Sequence, residues 1–290
     1  MAKPIDEALL QEILPGSSPI MKFRQSGQRH VWRCATAEGK ELVVKVSNEW
    51  HETQARQAER ILKQHDHEIR AMQMCDSPHL ARLLDVGTLA LGDGFVTFYQ
   101  TEMYVPGSSL HEHIARWKLS SNHRPDYDMN ALATSLAAAL KELHRHNLVH
   151  RDIKPLNIIV RDEDGLAVVI DLGIVFSADF TRITRPEEGS AHTPAYQSPE
   201  QARRQRELGW ESDLFCAGLC LYEAATGQHP FPDCSTEAEY CAAIIGDSHA
   251  ELIPNDLVSP NLCKAIDIML QKFAYERFAT PDDLIAMLSN

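Results

Sequence analysis

At 290 residues with 44% hydrophobic content, the chain suits one large domain or two closely packed lobes with an ample core. Twenty-eight Lys and Arg against 41 Asp and Glu leave a net charge of −13, which argues against nucleic-acid and membrane-surface partners. No stretch approaches the roughly 20 apolar residues of a spanning helix. Residues 1–18 lack the basic start and apolar centre of a signal peptide, and seven cysteines without a C-x-x-C pair read as reduced thiols of a cytoplasmic protein.

In chain order, residues 1–19 open with a helical pattern, Ile5, Leu9, Leu10 and Ile13, and end in Pro15-Gly16-Ser17-Ser18-Pro19. This is the pattern of an appended segment that packs on the first lobe. Strands are predicted over 20–23, around 31–34 and over 41–46, with turns at Gln25-Ser26-Gly27-Gln28 and Ala37-Glu38-Gly39-Lys40. Lys45 stands in the third strand between Val43, Val44 and Val46, where an edge-strand lysine facing solvent is the ordinary alternative to a functional one. Residues 52–75 read as helix, with Ala58, Ile61, Leu62, Ile69 and Met72 on one face. Two more strands are predicted over 83–88 and 95–103, and from about residue 108 the chain reads as helical. Asp128 is the expected N-cap of a helix over 131–146 whose core face is Leu132, Leu136, Leu140 and Leu143. Cys216 and Cys220, four apart in an apolar helix, read as core packing rather than metal ligands.

The densest chemistry lies at His150-Arg151-Asp152-Ile153-Lys154-Pro155-Leu156-Asn157. An apolar run comes next, then the turn Arg161-Asp162-Glu163-Asp164-Gly165, then a second apolar run ending at Asp171. Turn chemistry of this kind predicts a hairpin, and a hairpin brings Asn157 and Asp171 to one end, beside Asp152. Oxygen ligands of this type suit Mg2+, which takes one or two carboxylates together with substrate phosphates.

These residues resemble the catalytic loop of the eukaryotic-type (Hanks-type) serine/threonine protein kinases, H-R-D-x-x-x-x-N followed by D-F-G; the second motif here is Asp171-Leu172-Gly173. The resemblance covers about residues 20–288. It implies an α+β fold with a small β-rich lobe carrying one helix and a larger helical lobe. It divides the chain into an extension (1–19), an N-lobe (20–102), a hinge (103–107) and a C-lobe (108–290). Asp152 would orient the acceptor hydroxyl, Lys154 would steady the transferring phosphoryl group, and Asn157 and Asp171 would hold Mg2+, with Mn2+ a second candidate. Lys45 matches the V-A-I-K lysine on the ATP phosphates, with Glu68 as its helix partner and Glu59 as the fallback. Val31, Gly27, Met103 and Val105 would line the nucleotide. Glycines expected at 24, 26 and 29 are replaced by Arg24, Ser26 and Arg29, so the backbone cradle for phosphate is degraded and either arginine is a candidate phosphate contact.

Residues 192–200 resemble the end of the family's activation segment. Thr193 would brace Asp152, Glu200 would pair with Arg277, and Asp213 would open a buried helix. Arg151 would read a phosphate on Thr181, Thr184 or Ser190. The resemblance therefore implies an ATP- and Mg2+-dependent protein kinase acting on protein hydroxyls, its substrates unnamed by the sequence. Two rivals accompany it: a pseudokinase or nucleotide-binding scaffold, suggested by the glycine loop, and a small-molecule kinase. The second is disfavoured by Lys154 and by residues 193–200.

Overall fold

Asp6 starts the first helix by accepting the N–H of Ala8 at 2.9 Å, and the helix α1, Glu7–Ile13, buries Leu9, Leu10 and Ile13. The computed structural model describes residues 3–23, 29–51, 55–119, 125–172, 176–177, 194–246 and 248–289, without the side chains of 55–64 and 176–177. Two compact units divide the chain: Met1–Gln73 with Ala81–Tyr104, and Met74–Leu80 with Val105–Asn290.

The first unit is an antiparallel sheet with a helix on each face. Its strands are β1 (Ser18–Lys22), β2 (Arg29–Ala35), β3 (Glu41–Ser47), β4 (Trp50–His51), β5 (Leu83–Gly92) and β6 (Phe95–Met103), in the order β1-β2-β3-β6-β4, with β5 also on β6. The period of two decides which side chain goes where. Leu42, Val44 and Val46 of β3 turn to one face with Trp32 and Cys34 of β2, and the apolar side of α1 packs there. The segment at the N-terminus thus belongs to this unit's core rather than hanging from it. Lys45 turns to the opposite face, in register with Val31 on one neighbour and Gln100 on the other. The helix α2, Ala55–Met74, meets that face through Glu68 and His65. β5 continues past the predicted 83–88 to Gly92, because Leu91 is buried and the reversal waits for Gly92-Asp93-Gly94.

The second unit is mostly helical. A short strand β7 (Gly107–Ser109) leads into α3 (Leu110–Leu119). α4 (Met129–Arg145) is capped by Asp128, which accepts the N–H groups of Asn130 and Ala131 at 2.8 Å each. β8 (Leu148–Val149) then delivers the chain to the loop at residue 150, β9 (Ile158–Arg161) pairs with β7 and with β10 (Ala167–Val169), and β11 (Phe176–Ser177) pairs with β8. After α5 (Pro199–Ala202) comes α6 (Trp210–Thr226), buried on every side from Ser212 to Ala225 and ended by Gly227 at φ 72°. α7 (Glu237–Gly246), α8 (Pro260–Met269) and α9 (Pro281–Ser289) complete the unit. Cys216 and Cys220 are fully within this core. Among the described residues no helix is long and apolar enough to cross a membrane.

Candidate active site

The loop after β8 is held from beneath by one carboxylate. Asp213, in the first turn of α6 and 2% exposed, accepts the backbone N–H of His150 at 2.6 Å and of Arg151 at 2.8 Å. Those two bonds fix Arg151 in a left-handed conformation at φ 68°, which a non-glycine residue holds only when its surroundings over-determine it. Gln201 of α5 adds a third tie, donating to the Arg151 carbonyl at 2.8 Å. Burial pushes the Asp213 carboxyl up, against the pull of His150 and the two N–H groups. Burial also pulls the Arg151 guanidinium down, against Asp213.

The wholly buried His150 ring links the loop to the hairpin. Its Nδ1 accepts the Asp152 N–H at 3.3 Å, which makes Nε2 the donor to the Ile170 carbonyl, 3.4 Å away. Ile170 in turn donates its N–H to the Asn157 carbonyl at 2.9 Å. The hairpin behind this closes as its turn chemistry requires: Val169 pairs with Ile158, Gly165 sits at φ 71°, and its N–H reaches the Arg161 carbonyl at 2.8 Å. Asp171 comes next at φ 65°, and Leu172 beside it is fully buried.

Asp152 therefore stands with its neighbours oriented. Lys154 Nζ lies 2.8 Å from its Oδ2, and Asn157 Nδ2 donates at 2.9 Å to the same oxygen and to the Asp152 carbonyl. Two donors on one oxygen fix the orientation of the carboxylate. The amide of Asn157 has its nitrogen committed to Asp152, so its oxygen faces the opposite way. Oxygen donors from Asn157 and Asp171 suit a hard cation with phosphate and water filling its remaining positions. Among the described residues no group of three or more His, Cys, Asp or Glu could hold a metal.

In the first unit Lys45 is 8% exposed and its ammonium lies 2.7 Å from Glu102 Oε1. Glu68 is 1% exposed, and its hydrogen bonds run to the guanidinium of Arg29 and to Gln100 Nε2 at 2.9 Å. Lys45 acts on Glu68 through its charge. Arg29, a candidate phosphate contact from sequence, is thus engaged with a carboxylate. Val31 lies half-buried opposite Lys45. Met103 is exposed and donates its N–H to the Arg82 carbonyl at 2.9 Å, and Val105 is half-buried. Glu200 and Arg277 pair bidentately at 3.0 and 3.1 Å. Gly27, Thr181, Thr184, Ser190 and Thr193 lie outside the described residues, and Glu59 is described only in its backbone. Sequence reasoning missed Glu102, Gln100 and Gln201. The signal for the first two was a pair of strongly polar residues two apart, and so on one face, within a strand.

An antiparallel sheet unit with a buried lysine, followed by a helical unit whose Asp-Lys-Asn loop abuts a second Asp, defines a phosphotransfer class of domain. The sequence profile of the protein kinase domain matches residues 27–286. The chain belongs to the protein kinase domain family. It is 37% identical over 186 residues to the serine/threonine-protein kinase AfsK of Streptomyces griseus, covering 64% of this chain and 22% of that one. It is 34% identical over 218 residues to a probable serine/threonine-protein kinase of Clostridium acetobutylicum, covering 73% and 30%. It is 32% identical over 166 residues to the serine/threonine-protein kinase PrkC of Bacillus subtilis, covering 57% and 24%. The matched part is less than a third of each of these relatives' own length.

Proposed function

We propose that this domain transfers the γ-phosphoryl group of ATP to serine or threonine hydroxyls of protein substrates. The observation that carries the reading is Asp152, oriented by Lys154 and Asn157 on one carboxylate oxygen and by His150 through its backbone. Bound Mg2+ would neutralise charge on the phosphates. Asn157 and Asp171 would hold it, and Asp152 would position the acceptor hydroxyl and take its proton. Lys154, already beside Asp152, would stabilise charge on the group in transit. Lys45 would bind the phosphates, with Val31, Met103, Val105 and Gly27 about the nucleotide.

The division into extension, N-lobe, hinge and C-lobe at residues 19, 102 and 107 belongs to the same reading. Thr181, Thr184 and Ser190 are the proposed acceptors of an activating self-phosphorylation, with Arg151 as its reader and Thr193 as a brace for Asp152. A cytoplasmic setting suits the buried thiols Cys34, Cys216, Cys220 and Cys263. The test is transfer of labelled phosphate from ATP to a generic basic protein with Mg2+. Asp152→Asn is expected to lower the rate by about 10²–10⁴-fold without shifting the melting temperature. Equal labelling by the variant would overturn the roles assigned here.

A further inference from the structure

We propose that His229, between α6 and α7, is a positioning residue for the protein substrate, latching the turn Pro194–Tyr196 beside the loop of Asp152. The inference rests on the reading of this domain as a kinase of protein hydroxyls and adds a determinant of substrate binding to it. His229 Nε2 lies 2.8 Å from the Ala195 carbonyl, and the Phe231 N–H lies 3.1 Å from Nδ1. A carbonyl only accepts and a backbone N–H only donates, so the ring is neutral with its proton on Nε2. Both nitrogens are engaged, which fixes the ring's orientation. Tyr196 meets it edge-on at 5.5 Å and Tyr240 of α7 at 5.3 Å, with Phe231 at 5.9 Å. Tyr196 is held a second time, its hydroxyl donating to Glu223 of α6.

The latched turn stands near the chemistry. Six residues beyond Ala195, Gln201 donates to the carbonyl of Arg151, next to Asp152. Burial raises the Cys220 thiol of α6, and the charges of Glu223 and Asp152 add to this, so both acids lie near one side chain. Pro194, Ala195 and Tyr196 are only half-buried, which leaves them open to a partner. A protein that brings its hydroxyl to Asp152 must lay the flanking residues over adjoining surface, and this turn is part of it.

The titratable and charged groups around the ring are Tyr196, Tyr240, Glu223 and Lys118 of α3, with Lys272 over the Phe231 ring. Glu223 and Lys118 are themselves paired at 3.2 Å. Burial pulls the imidazole down from 6.5, so the latch is closed at neutral pH. A second proton would sit on Nδ1 and face the Phe231 N–H, donor against donor. Acid therefore opens it.

The test is steady-state transfer from ATP to one generic basic protein by the full chain, between about pH 8 and 5. His229→Asn keeps an oxygen for the Phe231 N–H but is too short to reach Ala195. His229→Gln carries an amide N–H out to where Nε2 stands and does not titrate. His229→Asn is expected to raise KM for the basic protein about 3–10-fold, the worth of one hydrogen bond, leaving KM for ATP unchanged. His229→Gln is expected to recover most of that at neutral pH. Toward pH 5 the wild-type KM for the basic protein is expected to rise by a similar factor relative to His229→Gln. All other titrating groups are common to the two enzymes and cancel in that ratio. A merely structural role would lower the melting temperature without moving either readout. If His229→Asn fails to fold, the ratio of wild type to His229→Gln across pH decides alone.

Three results overturn the proposal while wild type labels the basic protein. They are a His229→Asn KM within about twofold of wild type, no recovery in His229→Gln, and a ratio that stays flat across this pH range. Absence of transfer by wild type would instead overturn the reading of function, and this proposal with it.

Discussion

Arg29 at the start of β2 grips Glu68 of α2, guanidinium to carboxylate, on the buried face of the first unit's sheet. Burial pushes the Glu68 carboxyl up. The charge and hydrogen bonds of Arg29, joined by the charge of Lys45 and the amide of Gln100, outweigh it and hold the group at about 2, below its ordinary 4.5. A carboxyl depressed in this way stabilises the fold in full above 4.5 and loses that contribution as pH falls toward 2. Wild type should therefore exceed Glu68→Gln by on the order of 3 kcal/mol at neutral pH. Urea unfolding at a series of pH values should find the gap closing between about pH 4.5 and 2. A gap that stays constant across that window would mean the Arg29 contact carries no net ionic stabilisation.

His65 titrates first in the same cluster. It is 2.5 Å from the Ser47 hydroxyl. Burial and the charge of Arg29 pull its ring down from 6.5 to about 4, against the opposing effect of Glu68. The folded state thus holds it neutral, and its contribution is complete above 6.5 and falls as pH drops toward 4. His65→Gln, which cannot gain a proton, should show a flatter stability profile between those values, by on the order of 2–3 kcal/mol. Parallel slopes for variant and wild type would refute the assignment.

Much of the fold was legible because period and motif agree. The alternation Leu42, Val44, Val46 against Lys45 announces a strand with a two-sided role, and Asp128 before an apolar 3.6-residue pattern announces a helix start. The loop at 150–157 and the hairpin behind it carry their own turn chemistry, so the approach of Asn157 to the residues before Asp171 was readable from spacing. Pairing across elements was not legible in the same way. A motif names the types of residue that come together but not which carboxylate takes which cation. Sequence paired Glu68 with Lys45, whereas the guanidinium of Arg29 makes the direct contacts to Glu68 and Lys45 lies beside Glu102. Gln201 was equally silent in sequence, since its bond to a backbone carbonyl leaves no periodic trace.

Glu200 and Arg277 are 77 positions apart and form a buried ion pair. The Arg277 side chain is fully buried, makes both carboxylate bonds, donates to the Glu211 carbonyl at 2.7 Å and lies over the Phe215 ring at 4.9 Å. Arg277→Met leaves a buried carboxylate without its cation and should lose about 3–5 kcal/mol, visible as a fall in melting temperature on the order of 10 °C. Glu200→Gln/Arg277→Met should recover part of that, since no uncompensated charge remains. Strictly additive losses in a double-mutant cycle would show that the two residues do not stabilise each other.

Gly218 in the middle of α6 sets two known effects against each other. Alanine in a helix interior is favoured over glycine by about 0.5–1 kcal/mol, so propensity alone predicts that Gly218→Ala stabilises. A Cβ built there, however, would lie 2.9 Å from Met269 Cβ and 3.1 Å from Leu270 Cδ2, at the end of α8. Met269 Cβ is fixed to its backbone and cannot swing aside, so α8 itself must shift, and overpacking of this kind typically costs about 1–3 kcal/mol. The larger effect should win. Gly218→Ala is expected to melt below wild type, and Gly218→Ala/Met269→Ala should not reverse this, because alanine retains the offending Cβ. A Gly218→Ala protein that melts above wild type would mean that α8 yields at little cost, and that helix propensity governs this contact after all.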